Sequence, residues 1–242
     1  DGFVAVGGVS FDAHPGEVRF LIGPNGAGKT TCIDAITGLS KGTGSVKLGD
    51  HELLGKSTQK IVRLGVGRTF QTASVFEQLS VLQNLDIAAG LHRSSWSLLR
   101  ARRGIDPAIE VALEETGLSN ERDTPAGILS HGQKQWLEIG MMLVQEPRAL
   151  LLDEPVAGMS QDERTATGEL LHRIAERRVV LVVEHDMDFR RRYATRVTVL
   201  HQGKMLSEGS VAEVQADPKV QEVYLGTVGA VTAQVTQQAE GA

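Results

Sequence analysis

The stretch Gly23-Pro24-Asn25-Gly26-Ala27-Gly28-Lys29-Thr30 decides the fold, because it fits the pattern G-x-x-x-x-G-K-[ST] directly after the run Val18 to Ile22. A strand, a glycine-rich loop and a helix that begins near Lys29 are the context that makes this pattern a phosphate-binding loop, or P-loop. Glycines let successive backbone N–H groups approach an anion, and the following helix adds its positive end. The sequence therefore predicts that the chain binds a nucleoside triphosphate.

Two side chains of the P-loop carry specific expectations. Lys29 is predicted to reach the β- and γ-phosphates, and the Thr30 hydroxyl to complete the coordination shell of Mg²⁺. A glycine-rich turn that carries a lysine by chance is the structural alternative, but the flanking strand and helix favour the P-loop. The predicted contacts to ATP are Gly23, Pro24, Asn25, Gly26, Ala27, Gly28, Lys29, Thr30 and Thr31.

The composition is that of an ordinary globular chain. Its 242 residues are enough for one large domain, and the formal net charge is −5. A mildly acidic chain lacks the concentrated Lys and Arg that nucleic acids require, so no nucleic-acid partner is expected. No window approaches the roughly 18 consecutive apolar residues of a membrane span, and no signal peptide pattern opens the sequence, which predicts a cytoplasmic protein. The single cysteine, Cys32, is expected to be a small buried residue.

The order of patterns predicts an α/β core interrupted by a helical segment. From Glu77 to about Thr124, helical spacing replaces the β-branched runs that surround it. The helix after the P-loop is expected to run to about Leu39, and S-x-x-E patterns at Ser160 and Ser210 predict capping boxes that open two later helices. Short strands before and after the P-loop are predicted at Phe3 to Val6, Val9 to Phe11, Ser45 to Leu48 and Val66 to Phe70.

Two carboxylates follow an aliphatic run late in the chain. Leu150 to Leu152 lead to Asp153 and Glu154, as expected for a buried parallel strand that delivers acidic groups at its carboxyl end. Downstream of a P-loop, Asp153 is predicted to hold Mg²⁺ and Glu154 to polarise the attacking water. The structural alternative is a buried strand capped by two solvated acids.

A second aliphatic run, Val179 to Val183, ends in Glu184-His185-Asp186. His185 is placed where a strand meets a turn, so its imidazole could hydrogen-bond the γ-phosphate. A lone histidine is usually structural, but the P-loop and the acidic strand favour a functional role here. None of the histidines has partners at zinc-ligand spacing, so no zinc site is predicted.

Taken together, these motifs resemble those of ATP-binding cassette (ABC) proteins. The correspondence is Gly23 to Thr30 with Walker A, Gln71 with the Q-loop, Leu129 to Gln133 with the signature, Leu150 to Glu154 with Walker B and its catalytic glutamate, and His185 with the switch histidine. The resemblance implies ATP and Mg²⁺ as cofactors, with Glu154, His185, Gln71 and Lys29 as catalytic residues. It also implies that Thr30, Gln71 and Asp153 hold the Mg²⁺.

The resemblance spans roughly residues 2–226 and implies the architecture. We expect a P-loop NTPase (RecA-like) α/β core with an antiparallel β edge subdomain and an inserted α-helical subdomain. The core would comprise about residues 1–76 and 145–226, the helical subdomain about 77–144, and a flexible tail 227–242. In this family an aromatic ring stacks on adenine and precedes the P-loop lysine by a stretch that runs to, or just past, the start of this sequence, where Phe3 is the only nearby ring.

The signature predicts that two chains work together. Ser130 lies at the start of a predicted helix, so it offers a hydroxyl, open backbone N–H groups and a helix dipole to an anion. One chain already has a P-loop for its own nucleotide, so a second anion site implies a second chain. In the family two cassettes pair head to tail, which implies that Ser130, Gly132 and Gln133 contact ATP in trans. The partner would be another copy of this chain or a homologous ATPase subunit.

Within the family, the chain looks like the ATPase subunits of branched-chain amino acid and urea importers. The stretches Ser130 to Glu138, Pro155 to Met159 and Val223 to Gly226 resemble the urea-type members most. This resemblance implies an importer ATPase for urea, on the cytoplasmic face of the inner membrane and bound to integral permease subunits. The alternative is an importer of branched-chain amino acids or of other amides or amino acids.

Other functional classes fit the motifs less well. A soluble ABC ATPase that acts on ribosomes or DNA generally carries two cassettes or a long coiled coil, and the sequence has neither. A small-molecule kinase or GTPase does not explain the signature or His185. Two departures from the family pattern remain: His131 replaces the usual glycine of the signature, and Ser160 stands where many members have an aspartate.

Overall fold

The computed structural model describes residues 4–69, 74–90 and 104–224. Predictions that concern Phe3, Gln71 and the tail 227–242 therefore lie outside the described residues. The strands are β1 (Val18–Ile22), β2 (Lys47–Leu48), β3 (His51–Glu52), β4 (Val66–Arg68), β5 (Ala149–Asp153), β6 (Val179–Val183), β7 (Arg196–His201) and β8 (Lys204–Gly209). The α-helices are α1 (Lys29–Ile36), α2 (Thr58–Arg63), α3 (Val81–Ala89), α4 (Pro107–Thr116), α5 (His131–Leu143), α6 (Gln161–Ala175), α7 (Met187–Tyr193) and α8 (Val211–Ala216).

One six-stranded sheet, in the order β4-β5-β6-β1-β7-β8, forms the centre of the fold. Neighbouring strands from β4 to β7 pair in parallel, and β8 pairs antiparallel with β7 at the edge. Strands β2 and β3 form a separate two-stranded antiparallel sheet. Parallel strands linked through helices confirm the predicted α/β class.

Side chains of the central strands alternate between two buried layers. Phe20 and Leu150 lie in the larger layer, where α3, α4 and α5 also bury their apolar faces. Leu21 and Leu151 point to the second layer, which α1 covers. Burial on both faces explains why these strands are almost continuously apolar. Helices α3 to α5 fall within residues 77–144, and the division into a core and a helical subdomain stays a prediction.

Capping boxes begin four of the described helices, α3, α5, α6 and α8. In each box a serine side chain accepts a hydrogen bond from the backbone N–H three residues later, whose side chain bonds back to the serine N–H. The boxes at Ser160 and Ser210 confirm the predictions from the S-x-x-E patterns. The box at Ser130 uses Gln133, a residue that the signature resemblance assigns to ATP in trans.

The predicted strands before the P-loop are wrong for the residues that the structure describes. Residues 4–11 form no strand. Gly7 N donates to Gly203 O at 2.7 Å and Met205 N donates to Gly8 O at 3.3 Å, so single hydrogen bonds, and no strand ladder, join the segment to the β7–β8 turn and to β8. Gly8 has a φ of 137°, a conformation that interrupts an extended ladder.

The helix after the P-loop is shorter than predicted, because α1 ends at Ile36 and not near Leu39. Thr37 folds its hydroxyl back onto the Ile33 carbonyl at 2.8 Å. Gly38 follows with a φ of 75°, the left-handed conformation that commonly ends a helix.

Arg19 interrupts the apolar run of β1 yet is only 1% exposed. Its guanidinium donates to Glu17 at 3.0 Å and to Thr198 at 2.9 Å, and it also pairs with Glu208. The guanidinium carbon lies 5.5 Å from the centre of the Phe11 ring. Because a buried charge is tolerated only when it is paired and hydrogen-bonded, this cluster ties β8 to β1 across β7.

Gly168 of α6 provides a test of the packing between helices. A Cβ at this position would lie 2.4 Å from the Tyr193 ring of α7. We therefore expect Gly168→Ala to lower the free energy of unfolding by about 1–3 kcal/mol, although alanine favours helices. Urea unfolding followed by circular dichroism measures the change.

Gly90→Ala is the matched control, because a Cβ there meets no heavy atom within 4 Å and the residue has a φ of −68°. Its free energy of unfolding should change by less than about 1 kcal/mol. Equal stabilities of the two variants would contradict the described packing of α6 on α7.

Candidate active site

The carboxyl ends of β1, β6 and β5 lie side by side at one edge of the sheet. The strand register pairs Leu21 with Val183, and Val183 with Asp153. Just past the last pair, Glu154 N donates to Val183 O at 2.8 Å. The loops that follow these strands therefore start together, at the edge where open α/β sheets bind ligands.

The P-loop turns tightly between β1 and α1. Gly23, Gly26 and Gly28 have φ angles of 153°, 77° and 98°, in the region that favours glycine. A Cβ at Gly23 would lie 2.1 Å from the Leu200 carbonyl oxygen, so only glycine fits beside β7. The first turn of α1 leaves backbone N–H groups without helical partners, and such groups bind phosphate oxygens.

Lys29 is held against the P-loop. Its ammonium donates to Gly23 O at 2.8 Å and to Pro24 O at 3.1 Å. An ammonium carries three N–H groups, so a third is left for a phosphate oxygen. Burial lowers the pKa of Lys29, while the charges of Asp153 and Glu154 oppose this shift. The cation therefore stands near both the loop and the carboxylates that follow β5.

Asp153 ends β5 as a buried carboxylate that is 5% exposed. Arg68 of β4 places Nη2 3.9 Å from its Oδ2, and Asp153 N donates to Thr69 Oγ1 at 3.2 Å. Burial raises the pKa of Asp153, and Arg68 counteracts this rise. The strand thus ends in a buried carboxylate that faces the Arg68 guanidinium.

Glu154 and His185 face each other from the ends of neighbouring strands. His185 Nε2 lies 3.5 Å from Glu154 Oε1, and their side chains are 49% and 33% exposed. Glu154 has a φ of 50°, a left-handed conformation that is uncommon outside glycine and clusters at functional positions. An accessible carboxylate beside an imidazole can accept a proton from a water molecule and orient a neighbouring anion.

Glu184 fixes the turn that carries His185. Its Oε1 accepts hydrogen bonds from His185 N at 2.8 Å and Asp186 N at 3.0 Å. Burial raises the pKa of Glu184. Arg164 of α6 donates to Asp186 at 2.7 Å, so the same turn is also tied to α6.

The oxygen groups at this edge suit Mg²⁺ that arrives with a nucleotide. Thr30, which carries a hydroxyl, is exposed at the start of α1, and Asp153 supplies a carboxylate. Within residues 4–69, 74–90 and 104–224, no group of three or more His, Cys, Asp or Glu side chains could hold a metal by itself. Mg²⁺ commonly binds through one or two carboxylates and substrate phosphates, so this sparse donor set fits it.

The start of α5 forms a second group of anion-binding donors. Gln133 N donates to Ser130 Oγ at 3.2 Å, and Ser130 N donates back to Gln133 Oε1 at 3.0 Å. The Ser130 hydroxyl donates to Glu163 Oε1 at 2.7 Å, and Gly132 N donates to the same oxygen at 3.2 Å. The donors at this helix start therefore already hold a carboxylate of their own chain.

His131, the first departure from the family pattern, links the signature to the turn after β5. Its Nε2 lies 3.0 Å from Ala157 O, and a Cβ at Gly158 would be 3.6 Å from the ring. The glycine usual at this position could not make this contact. His131 therefore adds a connection between α5 and the loop that leads into α6.

The structure divides the predicted site residues into two groups. Lys29, Asp153, Glu154 and His185 come together at the carboxyl edge of the sheet with the P-loop. Ser130, Gly132 and Gln133 lie at the start of α5, where the described hydrogen bonds of their side chains and of Gly132 N run within α5 and to α6. Gln71 lies outside the described residues, so its role stays a prediction.

Two residues at these groups have roles that the sequence analysis does not predict. Arg68 donates to Asp34 at 2.5 Å and to Thr37 at 3.1 Å, which braces α1 against β4 beside Asp153. Glu163 was predicted only as the partner of Ser160 in a capping box. An arginine near the end of a predicted apolar strand could have indicated a role for Arg68. The sequence does not indicate its distant partners.

Cys32 is buried, as predicted, and burial raises the pKa of its thiol to about 11. A thiol that stays protonated is a poor nucleophile. It therefore packs behind the P-loop as a small apolar group.

Comparisons with known proteins agree with this geometry. A family model described as ABC transporter matches residues 6–157, and one described as branched-chain amino acid ATP-binding cassette transporter matches residues 204–230. The high-affinity branched-chain amino acid transport ATP-binding protein LivG of Escherichia coli (strain K12) is 35% identical over 237 residues, which cover 93% of each chain. BraF of Pseudomonas aeruginosa, with the same description, is also 35% identical over 93% of each chain.

A solved structure extends the likeness to three dimensions. It is the ADP conformation of an ATP-binding cassette of an ABC transporter, with a TM-score of 0.77, 32% identity and coverage of 92% of each chain. The chain therefore belongs to the ABC transporter family. These matches confirm the predicted fold class, ATP binding and ATPase activity, and the curated relatives are described as branched-chain amino acid transport ATP-binding proteins. The finer resemblance to urea-type members is not confirmed by these relatives.

Lys29→Ala tests the P-loop directly. Removal of the ammonium should weaken ATP binding by about tenfold or more, because a charge-assisted hydrogen bond to phosphate is lost. Isothermal titration with ATP and Mg²⁺ measures the affinity. Lys134→Ala is the control. It also removes an ammonium group, but this group pairs with Glu77 at 3.0 Å and not with the P-loop. Equal ATP affinities of the two variants would contradict the assignment of Lys29.

Proposed function

We propose that this chain hydrolyses ATP for an importer of branched-chain amino acids, and that ATP-driven closure of two paired cassettes is coupled to transport. The observation that carries the proposal is the pair of Glu154 and His185, 3.5 Å apart beside the P-loop at the carboxyl edge of the sheet. This arrangement supplies a base and a phosphate-orienting group where a bound triphosphate would end.

Each residue of this edge has a distinct part in the proposed reaction. Lys29 and the P-loop N–H groups hold the β- and γ-phosphates, and Glu154 accepts a proton from the attacking water. His185 hydrogen-bonds the γ-phosphate from the opposite side. Thr30, Gln71 and Asp153 would hold Mg²⁺, which neutralises charge that develops on the phosphates when it is bound.

The second half of each site comes from a partner cassette, either another copy of this chain or a homologous ATPase. Ser130, Gly132 and Gln133 of the partner approach the γ-phosphate of ATP held on the P-loop. Closure excludes water, and hydrogen bonds are stronger in the resulting low-dielectric site. The exposed start of α5, with its hydroxyl and backbone donors, supports this proposal.

The proposed position is the cytoplasmic face of the inner membrane, against integral permease subunits. In the part of the chain that the structure describes, no helix is long and apolar enough to cross a membrane. The segment around Gln71 and the helices α3 to α5 would pass the closing motion to the permease. We propose residues 1–226 as one nucleotide-binding domain, divided as predicted from the sequence, and residues 227–242 as an appended tail.

The class of the solute is a finer proposal. The relatives LivG and BraF are described as branched-chain amino acid transport proteins, which supports the alternative prediction over urea. The stretch Ser130 to Glu138 still resembles urea-type members, so urea is the second candidate.

Glu154→Gln separates nucleotide binding from turnover. The amide keeps the size of the side chain but cannot accept a proton, so we expect ATP affinity to persist while the ATPase rate falls at least about a hundredfold. The variant should also accumulate as an ATP-bound dimer, measured by light scattering after size exclusion. Glu146→Gln is the control, because Glu146 has the same φ of 50° and an exposed position elsewhere. A parental rate in Glu154→Gln would show that another group is the base.

Uptake assays in the native cell separate the two candidate solutes. Deletion of the gene should abolish the high-affinity uptake of radiolabelled leucine, isoleucine and valine. The parental gene should restore it, and the Glu154→Gln gene should not. Loss of urea uptake with intact leucine uptake would reject the branched-chain amino acid assignment in favour of urea.

A further inference from the structure

Glu163 of α6 occupies the position that the proposed function gives to the γ-phosphate of the partner's ATP. Its Oε1 accepts from the Ser130 hydroxyl at 2.7 Å and from Gly132 N at 3.2 Å. A Cβ at Gly132 would lie 2.6 Å from the same oxygen, so the carboxylate lies directly over the glycine. The donors at the start of α5 thus already form an anion-binding site, and a carboxylate of the same chain occupies it.

We propose that Glu163 is a positioning residue that holds the donors of Ser130 and Gly132 until ATP on a partner cassette displaces it. This inference rests on the proposed function, because it concerns the same composite site. By competing with the phosphate, Glu163 raises the ATP concentration that is needed to close the dimer.

The carboxylate and a phosphate cannot both use these donors. The Ser130 hydroxyl has a single hydrogen, and it donates this hydrogen to Glu163. The Gly132 N–H donates to the same oxygen. Hydrogen bonds from Ser130 and Ser160 lower the pKa of Glu163 to about 2, so the carboxylate is negative near neutral pH. Two anions at hydrogen-bond distance repel each other, so the approach of the γ-phosphate requires the carboxylate to turn away.

Glu163 keeps other hydrogen-bond partners when it leaves Ser130. Its other oxygen, Oε2, accepts from Ser160 N and from the Ser160 hydroxyl, both at 2.9 Å. These bonds belong to the capping box of α6 and do not depend on α5. The side chain is half-buried, so a rotation of the carboxylate gives it access to water without unfolding α6. The contact with α5 can therefore break while α6 stays capped.

The test uses the Glu154→Gln protein, which should form stable ATP-bound dimers, with and without Glu163→Ala. ATP with Mg²⁺ is titrated, and the dimer fraction is measured by analytical ultracentrifugation. We expect the half-maximal ATP concentration to fall about tenfold in the double variant, because a competing charge-assisted contact is removed. The affinity for ADP should stay unchanged, since ADP has no γ-phosphate to reach Ser130.

Two further variants separate this effect from a loss of helix capping. Ser160→Ala weakens the capping box of α6 but leaves the contacts of Glu163 with α5, so it should not lower the ATP requirement. Glu163→Gln retains a capping side chain and removes the charge, so it should lower the requirement and also serves if Glu163→Ala folds poorly.

The outcomes distinguish this inference from the proposed function. If Glu154→Gln alone never dimerises with ATP, the proposed function fails. If it dimerises and Glu163→Ala leaves the ATP requirement unchanged or raises it, only the role of Glu163 is overturned. An equal fall in Ser160→Ala would attribute the effect to capping and would also overturn it.

Discussion

The parallel pairing of β5, β6 and β1 is the constraint on which the rest of the structure depends. Because these strands run in the same direction and stay in register, the P-loop, Asp153 with Glu154, and His185 all leave the sheet at one edge. Burial of both sheet faces makes these strands almost continuously apolar, and close packing of the two layers holds the strands in place. The chemistry of the site is thus a direct consequence of how the core packs.

A second structural unit, the paired starts of α5 and α6, carries the residues that the proposed function assigns to the ATP of a partner cassette. Each helix start has backbone N–H groups without partners inside the helix and carries partial positive charge. The Glu163 carboxylate accepts hydrogen bonds from N–H groups at both helix starts. His131 adds a further tie between α5 and the loop before α6. The signature is therefore connected through α6 and Arg164 to the turn that carries His185, so the two groups of functional residues belong to one hydrogen-bonded framework.

Local patterns predicted the parts of the fold that local chemistry determines. The P-loop, the strand that ends at Asp153 and the capping boxes at Ser160 and Ser210 each depend on residues within a few positions. The apolar spacing of residues 4–11 predicts strands, but Gly7 and Gly8 make their hydrogen bonds to the distant β7–β8 turn and to β8. The contact of Glu163 with Ser130 joins residues 33 positions apart, which no local pattern indicates. These residues give no signal for the solute class, because the proposed function assigns them to ATP and not to the transported solute.

The most direct measurement is a structure of the Glu154→Gln protein determined with ATP and Mg²⁺. The central claim predicts a pair of chains in which the Ser130 hydroxyl of one lies about 3 Å from a γ-phosphate oxygen of the ATP held by Lys29 of the other. In that state Glu163 should contact Ser160 but no longer Ser130. A single chain with ATP on its P-loop and Ser130 facing solvent, in crystals and in solution, would contradict the claim.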